Sequence, residues 1–523
     1  MNVHAPVVTS RSFSATRSRL RTLSLADAAS AATFSVVVSL ALRPVADPDS
    51  FWHLATGRWI WRNRTIPTTD PFSWTAPGRS WVAHEWLTEA IWYPVHRLSG
   101  WTGLVLLSAL VILLALICVW RTARVLGGSP IAASGLVLLA SLASLHTWGV
   151  RPQMITFALM ATVTLWTVKA WTIRLDEAPE QARKARRRLW WVPAMMVPWA
   201  NAHGGYIFGI ALLGSFATGI TVEHVLSQRF DRYRLQRACA NGATDYALLR
   251  TSWLVLLATT AATLINPHGI GGLIYPFTYL GDNASTRYVA EWFAPDFSNP
   301  QFWPFAGFLL LGALTLVRLR HRLPLFAFFQ LSAFAFLAVQ SVRNITQFVA
   351  TAVPWIALAL RRNPRPVASD QGKPLPSGAQ IVHLLVSVGA IVSLAGLALP
   401  QAGAQRIERS HQAIFPTEAV AWMQNNPSPK VLNQYDWGGY LTWHAEDIPV
   451  AVDGRPDMYG DAFMDRHISI WHARKGWKDR LDADGYNRVF GAPTQPIVKK
   501  LRATPGWKVV FEDDLAVVFD RAS

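Results

Sequence analysis

Asp47 and Asp49 stand two residues apart, directly behind the first long apolar segment. They open the longest polar stretch in the first half of the chain, residues 43–98. Ionisable residues at the mouth of a membrane helix bundle are expensive to place and mark function by default. A carboxylate there can act as the general base that deprotonates an acceptor hydroxyl. Two carboxylates together can instead hold a divalent cation, Mg or Mn, through oxygen ligands. Asp47-Pro48 also reads as an N-cap followed by proline at the first helical position. The helix dipole then favours the ionised form of both acids, which suits a base or a ligand and not a general acid. The plain alternative for Asp47 is a cap and nothing more.

The same stretch carries His53, His84, Glu85 and Glu89. His84-Glu85 and Glu89 fit the positioning of an acceptor or the completion of a metal site, although the second histidine of a metalloprotease helix is missing. Arg43, Arg151, Arg287 and Arg343 fall near span ends, where a guanidinium either anchors the helix or binds phosphate. Arg343-Asn344 is the best placed of these, at a tight turn between two apolar segments. His203 sits in Asn201-Ala-His-Gly-Gly205, a polar break between short apolar helices, and Glu291-Trp292 lies in a second long polar loop. Near the C-terminus, Asp436-Trp437 and Asp453-Gly-Arg455 supply the carboxylates, guanidinium and indole that bind a sugar; Asp-Gly at strand ends is equally good turn chemistry.

These residues need a scaffold, and the composition says which kind. Of 523 residues, 51% are hydrophobic and 15% charged, against about a quarter charged in soluble domains. Repeated apolar runs of about 20 residues make a polytopic membrane protein. The net charge of +17 comes from Arg and Lys in short loops between apolar runs, where they set orientation, so nucleic acid is excluded as a partner. Cys118 and Cys239 are the only cysteines and indicate neither a disulfide framework nor a zinc site. The many tryptophans suit both bilayer interfaces and sugar-stacking surfaces.

Residues 1–25 are basic and acid-free up to the first apolar run, which places them in the cytoplasm ahead of an uncleaved first span. Residues 26–402 form the transmembrane part, a membrane all-α bundle of about eleven helices if the broken hairpin around His203 counts as two. Within it, residues 47–101 are the first outer loop, with two interfacial amphipathic helices and a hairpin that pairs 72–75 with 80–83 across Pro77-Gly78. Residues 403–523 are soluble-like and read as an extracytoplasmic α/β domain. Its helices are expected at 416–425, 461–472 and 495–502, its strands at 430–433, 449–452, 507–511 and 516–519.

Asp49-Ser-Phe-Trp-His-Leu-Ala-Thr-Gly57, Ile66-Pro-Thr-Thr-Asp-Pro-Phe72, His84-Glu-Trp-Leu87, Asn201-Ala-His-Gly-Gly205, Val342-Arg-Asn344 and Asp436-Trp-Gly-Gly439 look like a bacterial group of large membrane proteins over most of the chain. The acidic pair after the first span, the loop of interfacial helices and the outer C-terminal domain resemble the GT-C superfamily of membrane glycosyltransferases. That superfamily includes oligosaccharyltransferases and polyprenol-phosphate-dependent mannosyl and arabinosyl transferases. The resemblance implies inverting transfer of a sugar from a polyprenyl-phosphate donor to the hydroxyl of a glycan or lipid acceptor at the outer leaflet of the plasma membrane. It implies Asp47 or Asp49 as base, an outer arginine on the leaving phosphate, and acceptor binding by the outer domain. Some relatives use a divalent metal and others do not, so the metal stays open. The chain has no P-loop, in keeping with a lipid-linked donor. Two rivals remain. A transporter or flippase of lipid-linked glycans shares the broken hairpin but predicts inverted repeats, which the sequence does not show. A scaffold of an envelope-synthesis complex tolerates loss of Asp49.

Overall fold

The computed structural model describes residues 24–173, 178–229, 246–279, 281–320, 322–361, 377–393, 396 and 398–522. Residues 1–23 of the basic N-terminal segment, Cys239 and residues 362–376 lie outside the described residues.

The chain opens with α1 (Leu25–Ala41), started by a capping box in which Ser24 and Asp27 bond each other's backbone. α2 (Asp49–Asn63) follows at once and packs on α3 (Trp86–Val125). α3 is two helices in line: Gly100 has φ +61°, a backbone open mainly to glycine, and separates a first part with Pro94 from a long apolar part. This is where the sequence puts the border between an interfacial helix and a span. Ser129 caps α4 (Pro130–Ser144), and α5 (Gln153–Thr172) packs along α3. α6 (Pro179–Leu189) is basic and amphipathic. α7 (Trp191–Ala202) breaks at His203, whose backbone is extended, before α8 (Ile207–Arg229). α9 (Tyr246–Ala262), α10 (Trp303–Arg318), α11 (Leu325–Gln340), α12 (Ile345–Ala359) and α13 (Ser377–Ser393) complete the bundle.

Among the described residues, five helices are long and apolar enough to cross a bilayer, and three of the shorter ones are apolar too. The large side chains that fill the bundle are Phe157, Trp199, Phe216, Phe326, Phe348 and Trp355.

The C-terminal region follows α14 (Ala404–Ile414) and α15 (Thr417–Asn425) with one four-stranded sheet, order β1-β2-β4-β3. β1 (Val431–Asn433) pairs parallel with β2 (Arg488–Gly491), and β4 (Val517–Arg521) lies antiparallel between β2 and β3 (Trp507–Glu512). The expected strand at 449–452 is instead a single bridge, from Val450 to Ser73 of the first loop. That contact also corrects the expected hairpin. Trp74 N–H donates to Val450 O and Val450 N–H to Phe72 O, so 72–74 pairs with the C-terminal region. The loop closes on itself further out, through Asp70 with Arg79 and Thr68 with Trp81.

The C-terminal region therefore sits on α2 and the first loop. Phe51 of α2 lies edge-on to Trp101, Phe415 and Tyr440 at 4.9 Å each. Arg58 pairs with Glu446 at 2.6 Å. Gly439 lies against Pro48 and Trp52, where a Cβ would meet backbone, so α16 (Gly438–His444) docks flush on the start of α2.

Candidate active site

One helical turn on α2 sets Asp49, Trp52 and His53 on a common face. The helix starts one residue later than expected, with Pro48 at the N-cap position and no side-chain cap, and Asp47 Oδ1 accepts from Asp49 N–H at 3.1 Å just ahead of it. Trp52 Nε1–H donates to Asp49 Oδ1, also at 3.1 Å. From the other side the C-terminal region closes down. A Cβ on residue 454 would collide with Asp49 Oδ1 and Trp52 Nε1, so Asp-Gly454 lets this backbone lie directly on the carboxylate. Packing around Asp49, and then the neighbouring Asp47 charge, pushes its carboxyl up to about 8. This corrects the expectation that the helix terminus keeps Asp49 fully ionised. A helix dipole contributes about 0.3–1 kcal/mol at an exposed end, too little to offset desolvation and a like charge together. Asp47 has a different fate. Arg151 bridges it to Glu291, so Asp47 is committed to an ion pair that ties the first loop to the second.

Beside this pair lies a second cluster. Glu85 precedes α3, and Glu89 follows it by one turn. Both are buried with His53 and His203. Gly57 makes the approach possible, because a Cβ there would run into the carbonyl of Glu89. His53 Nδ1 lies 2.9 Å from Glu89 Oε1, and His53 Nε2 lies 3.5 Å from Glu85 Oε2. His203 Nε2 and His84 Nε2 approach Glu85 Oε1 at 3.6 and 3.7 Å. The hydrogen bonds assign tautomers. His203 Nδ1 accepts from Gly205 N–H at 3.0 Å, so its Nε2 carries the proton and points it at Glu85. A neutral His53 ring donates through only one of its nitrogens, so the lone pair of the other faces a carboxyl group. Two acceptors face each other there only if a proton or a cation lies between them. Burial pushes Glu85 up to about 8 and His84 down to about 4. Among the described residues, Glu89 Oε2 is buried with no hydrogen-bond partner. His53, Glu85 and Glu89 offer one ligand atom each, all within 4.8 Å of one another. A nitrogen and carboxylate oxygens suit zinc or another borderline divalent ion. The donor set thus gathers around His53, and not at Asp47 and Asp49, where Arg151 already supplies the positive charge.

Arg343 completes the arrangement. It stands on the short turn Val342–Asn344 between α11 and α12, its guanidinium 4.3 Å from the ring centre of Trp292. Trp292 stacks on Tyr279 at 5.1 Å, and Tyr279 bonds Tyr275, which donates to Asp457 Oδ2 at 2.7 Å. Arg151 and Arg287 are taken up by acids, Arg287 by Asp282 and Asp465. Among the described residues Arg343 pairs with no carboxylate. Asn344 beside it is buried, and its Nδ2–H donates back to Leu337 O at 3.3 Å, which fixes the turn.

Asp47, Asp49, His53, Glu85, Glu89, Arg151, His203, Glu291 and Arg343 all line one polar cleft of about 100 Å³. It shares lining residues with two others. A cavity of about 400 Å³, mostly apolar, starts at His84, His203 and Arg343 and runs between α8 and α11 along Phe208, Phe334 and Leu337. A third, of about 310 Å³, shares Trp81, Tyr279, Ser285 and Asp457 with the cleft and reaches Asn283 and Asp461.

Several expected site residues are elsewhere. Arg43 donates to Leu145 O at 2.8 Å and lies off the cleft. Trp437 is core, 5.0 Å from Phe490, and Asp436 beside it does not line the cleft. Arg455 borders the cleft but is held: Nε–H donates to Asp453 Oδ1 at 2.8 Å, and Nη2 lies 2.9 Å from Asp70. Asp453 and Arg455 thus join the first loop to the C-terminal region. Sequence reasoning missed Tyr275, Tyr279 and Gly454. Only the glycine left a signal, as Asp-Gly, and that pattern is shared with any turn.

No family model matches the chain, and no curated protein matches it. Solved structures do. The oligosaccharyltransferase of Archaeoglobus fulgidus, crystallised tethered to an acceptor peptide, aligns at TM-score 0.54 and 12% identity over 89% of this chain and 69% of its own. ArnT from Cupriavidus metallidurans, bound to undecaprenyl phosphate, aligns at TM-score 0.50 and 17% identity over 95% of this chain and 97% of its own. The chain thus shares the fold of these two solved structures, and its apolar helices make it a multi-pass membrane protein.

Proposed function

We propose that the protein transfers a sugar from a polyprenyl-phosphate donor to an acceptor hydroxyl, at the bilayer face that carries the C-terminal region. One observation carries this reading: an apolar cavity between α8 and α11 ends at Arg343, a guanidinium without a carboxylate, inside a cleft that also holds Asp49. A prenyl chain fits the cavity, a phosphate fits the guanidinium, and the sugar then lies toward Asp49. The third cavity supports an acceptor with hydroxyls, since Trp81 and Tyr279 offer ring faces and Asp457 and Asp461 offer acceptors.

In the proposed step the acceptor oxygen attacks the anomeric carbon and gives its proton to Asp49. The bond from that carbon to the phosphate oxygen breaks, and Arg343 stabilises the charge gained by the leaving phosphate. Single displacement inverts the anomeric centre. Asp47, Arg151 and Glu291 hold the loops that frame the step. A divalent ion held by His53, Glu85 and Glu89 would supply further positive charge near the leaving group. Basic loops support a cytoplasmic N-terminus and an outer C-terminal region, in a reading with about eleven spans in all.

The test is complementation of a deletion strain with wild type, Asp47→Asn and Asp49→Asn, with membrane levels checked by blot and envelope glycans analysed. Asp49→Asn is expected to lose one sugar linkage at normal protein level, a drop of about 100-fold or more in transfer. Full function in that variant overturns the reading and points to transport or scaffolding.

A further inference from the structure

α3 and α5 both start beside the polar cleft, at Glu89 and Gln153, and run away from it. Their far ends, with α6 packed against α5, enclose a separate cavity of about 520 Å³. Lys169, Lys184 and Arg188 line it, with Thr172 beside them. Trp166, Val125 and Ile173 form an apolar wall.

Among the described residues, Arg188 and Arg121 act on Lys169 with charges of its own sign. Among the described residues, neither Lys169 nor Arg188 pairs with a carboxylate. Lys184 meets only Glu180, 3.5 Å away on the same exposed helix face. Among the described residues, three cations thus meet around this hollow with a single exposed carboxylate, and an anion drawn among them offsets their mutual repulsion. The apolar wall says what else the anion carries. An indole beside cationic side chains at the end of a membrane helix is placed for the headgroup level of a bilayer. Basic pockets between membrane helices bind the headgroups of anionic lipids.

We propose that this cavity binds the phosphate of an anionic phospholipid, with the acyl chains lying along Trp166 and Val125. A free phosphate satisfies the charges but leaves the apolar wall unused. The site is at the other end of the bundle from the acidic cleft and does not depend on the transferase reading.

The experiment is native mass spectrometry of the detergent-purified full chain with phosphatidylglycerol, with phosphatidylcholine of the same acyl chains, and with phosphatidylglycerol in competition with inorganic phosphate. Wild type is expected to retain phosphatidylglycerol about fivefold or more over phosphatidylcholine, and inorganic phosphate is expected not to displace it. Lys169→Gln/Arg188→Gln is expected to lose the preference. Arg97→Gln/Lys508→Gln, which removes the same charge from exposed positions elsewhere, is expected to keep it. Equal retention of the two lipids by wild type overturns the proposal. So does displacement by inorganic phosphate, or an equal loss of preference in both double variants.

Discussion

Asp49 and His53 stand one turn apart on α2, yet their surroundings ask opposite things of them. Asp49 sits under Gly454 with its carboxyl pushed up to about 8. A base must be deprotonated to work, so transfer should rise with pH through about 8 and fall away below it, measured as kcat/KM against pH with a purified donor. Asp49→Glu shifts that limb if Asp49 is the base, and a limb that stays in place rules it out. His53 belongs to the cluster with Glu85 and Glu89, whose Oε2 has no partner among the described residues. Purified protein is therefore expected to carry close to one equivalent of divalent metal by elemental analysis, and His53→Ala or Glu89→Gln to carry almost none. Wild type free of metal after growth in zinc- and manganese-supplemented medium contradicts the ligand set. The residue types of this site were visible in the sequence because acids and histidines are rare in so apolar a chain. Their sorting was not. Arg151, Asp47 and Glu291 lie on three separate stretches, and nothing local tells an acid that meets an arginine from one that stays free.

Elements were most legible where backbone chemistry alone decides them. Gly100 divides α3 where an amphipathic pattern gives way to an apolar one, and Ser24 and Ser129 cap the helices they precede. Pairings at long range were not legible: residues 72–74 have strand character, but their partner is Val450. Glycines at close approaches sit between the two cases. Gly454→Ala introduces a methyl where Asp49 Oδ1 and Trp52 Nε1 already lie. Overpacking of this kind typically costs about 1–3 kcal/mol. The variant should lower the melting temperature and transfer activity together, with both restored in part by Trp52→Phe. Unchanged activity in Gly454→Ala means that the C-terminal backbone does not rest on Asp49 in the working protein.

At the scale of the whole molecule, the bundle and the C-terminal region are joined through buried charge. Asp70 of the first loop, Asp453 and Arg455 are almost wholly enclosed, and Arg455 lies 4.6 Å from the ring centre of Trp81. Removing one member of such a group leaves an unmatched buried charge, at a cost of about 3–5 kcal/mol. Asp453→Ala should release the C-terminal region to limited proteolysis at protease levels that leave wild type intact. A protease-resistant variant would show that the junction is held by the aromatic contacts of Phe51 instead. The sequence divides cleanly near residue 403, and its soluble-like composition suggests an independent tail. The structure ties that tail to α2 and the first loop through Asp453 and Arg455, which in the sequence read equally well as turn chemistry or as sugar binders.

The glycine pressed onto Asp49 has a consequence for descent. It lies some four hundred residues from the acid it covers, and its fit depends on the absence of a single atom. Recombination that joined this bundle to the tail of a distant homologue would bring in whatever residue stands at 454 there. Most such joins would bury the acid under a side chain or leave it bare. Engineered exchanges of the tail should therefore succeed only when residues 47–89 travel with it.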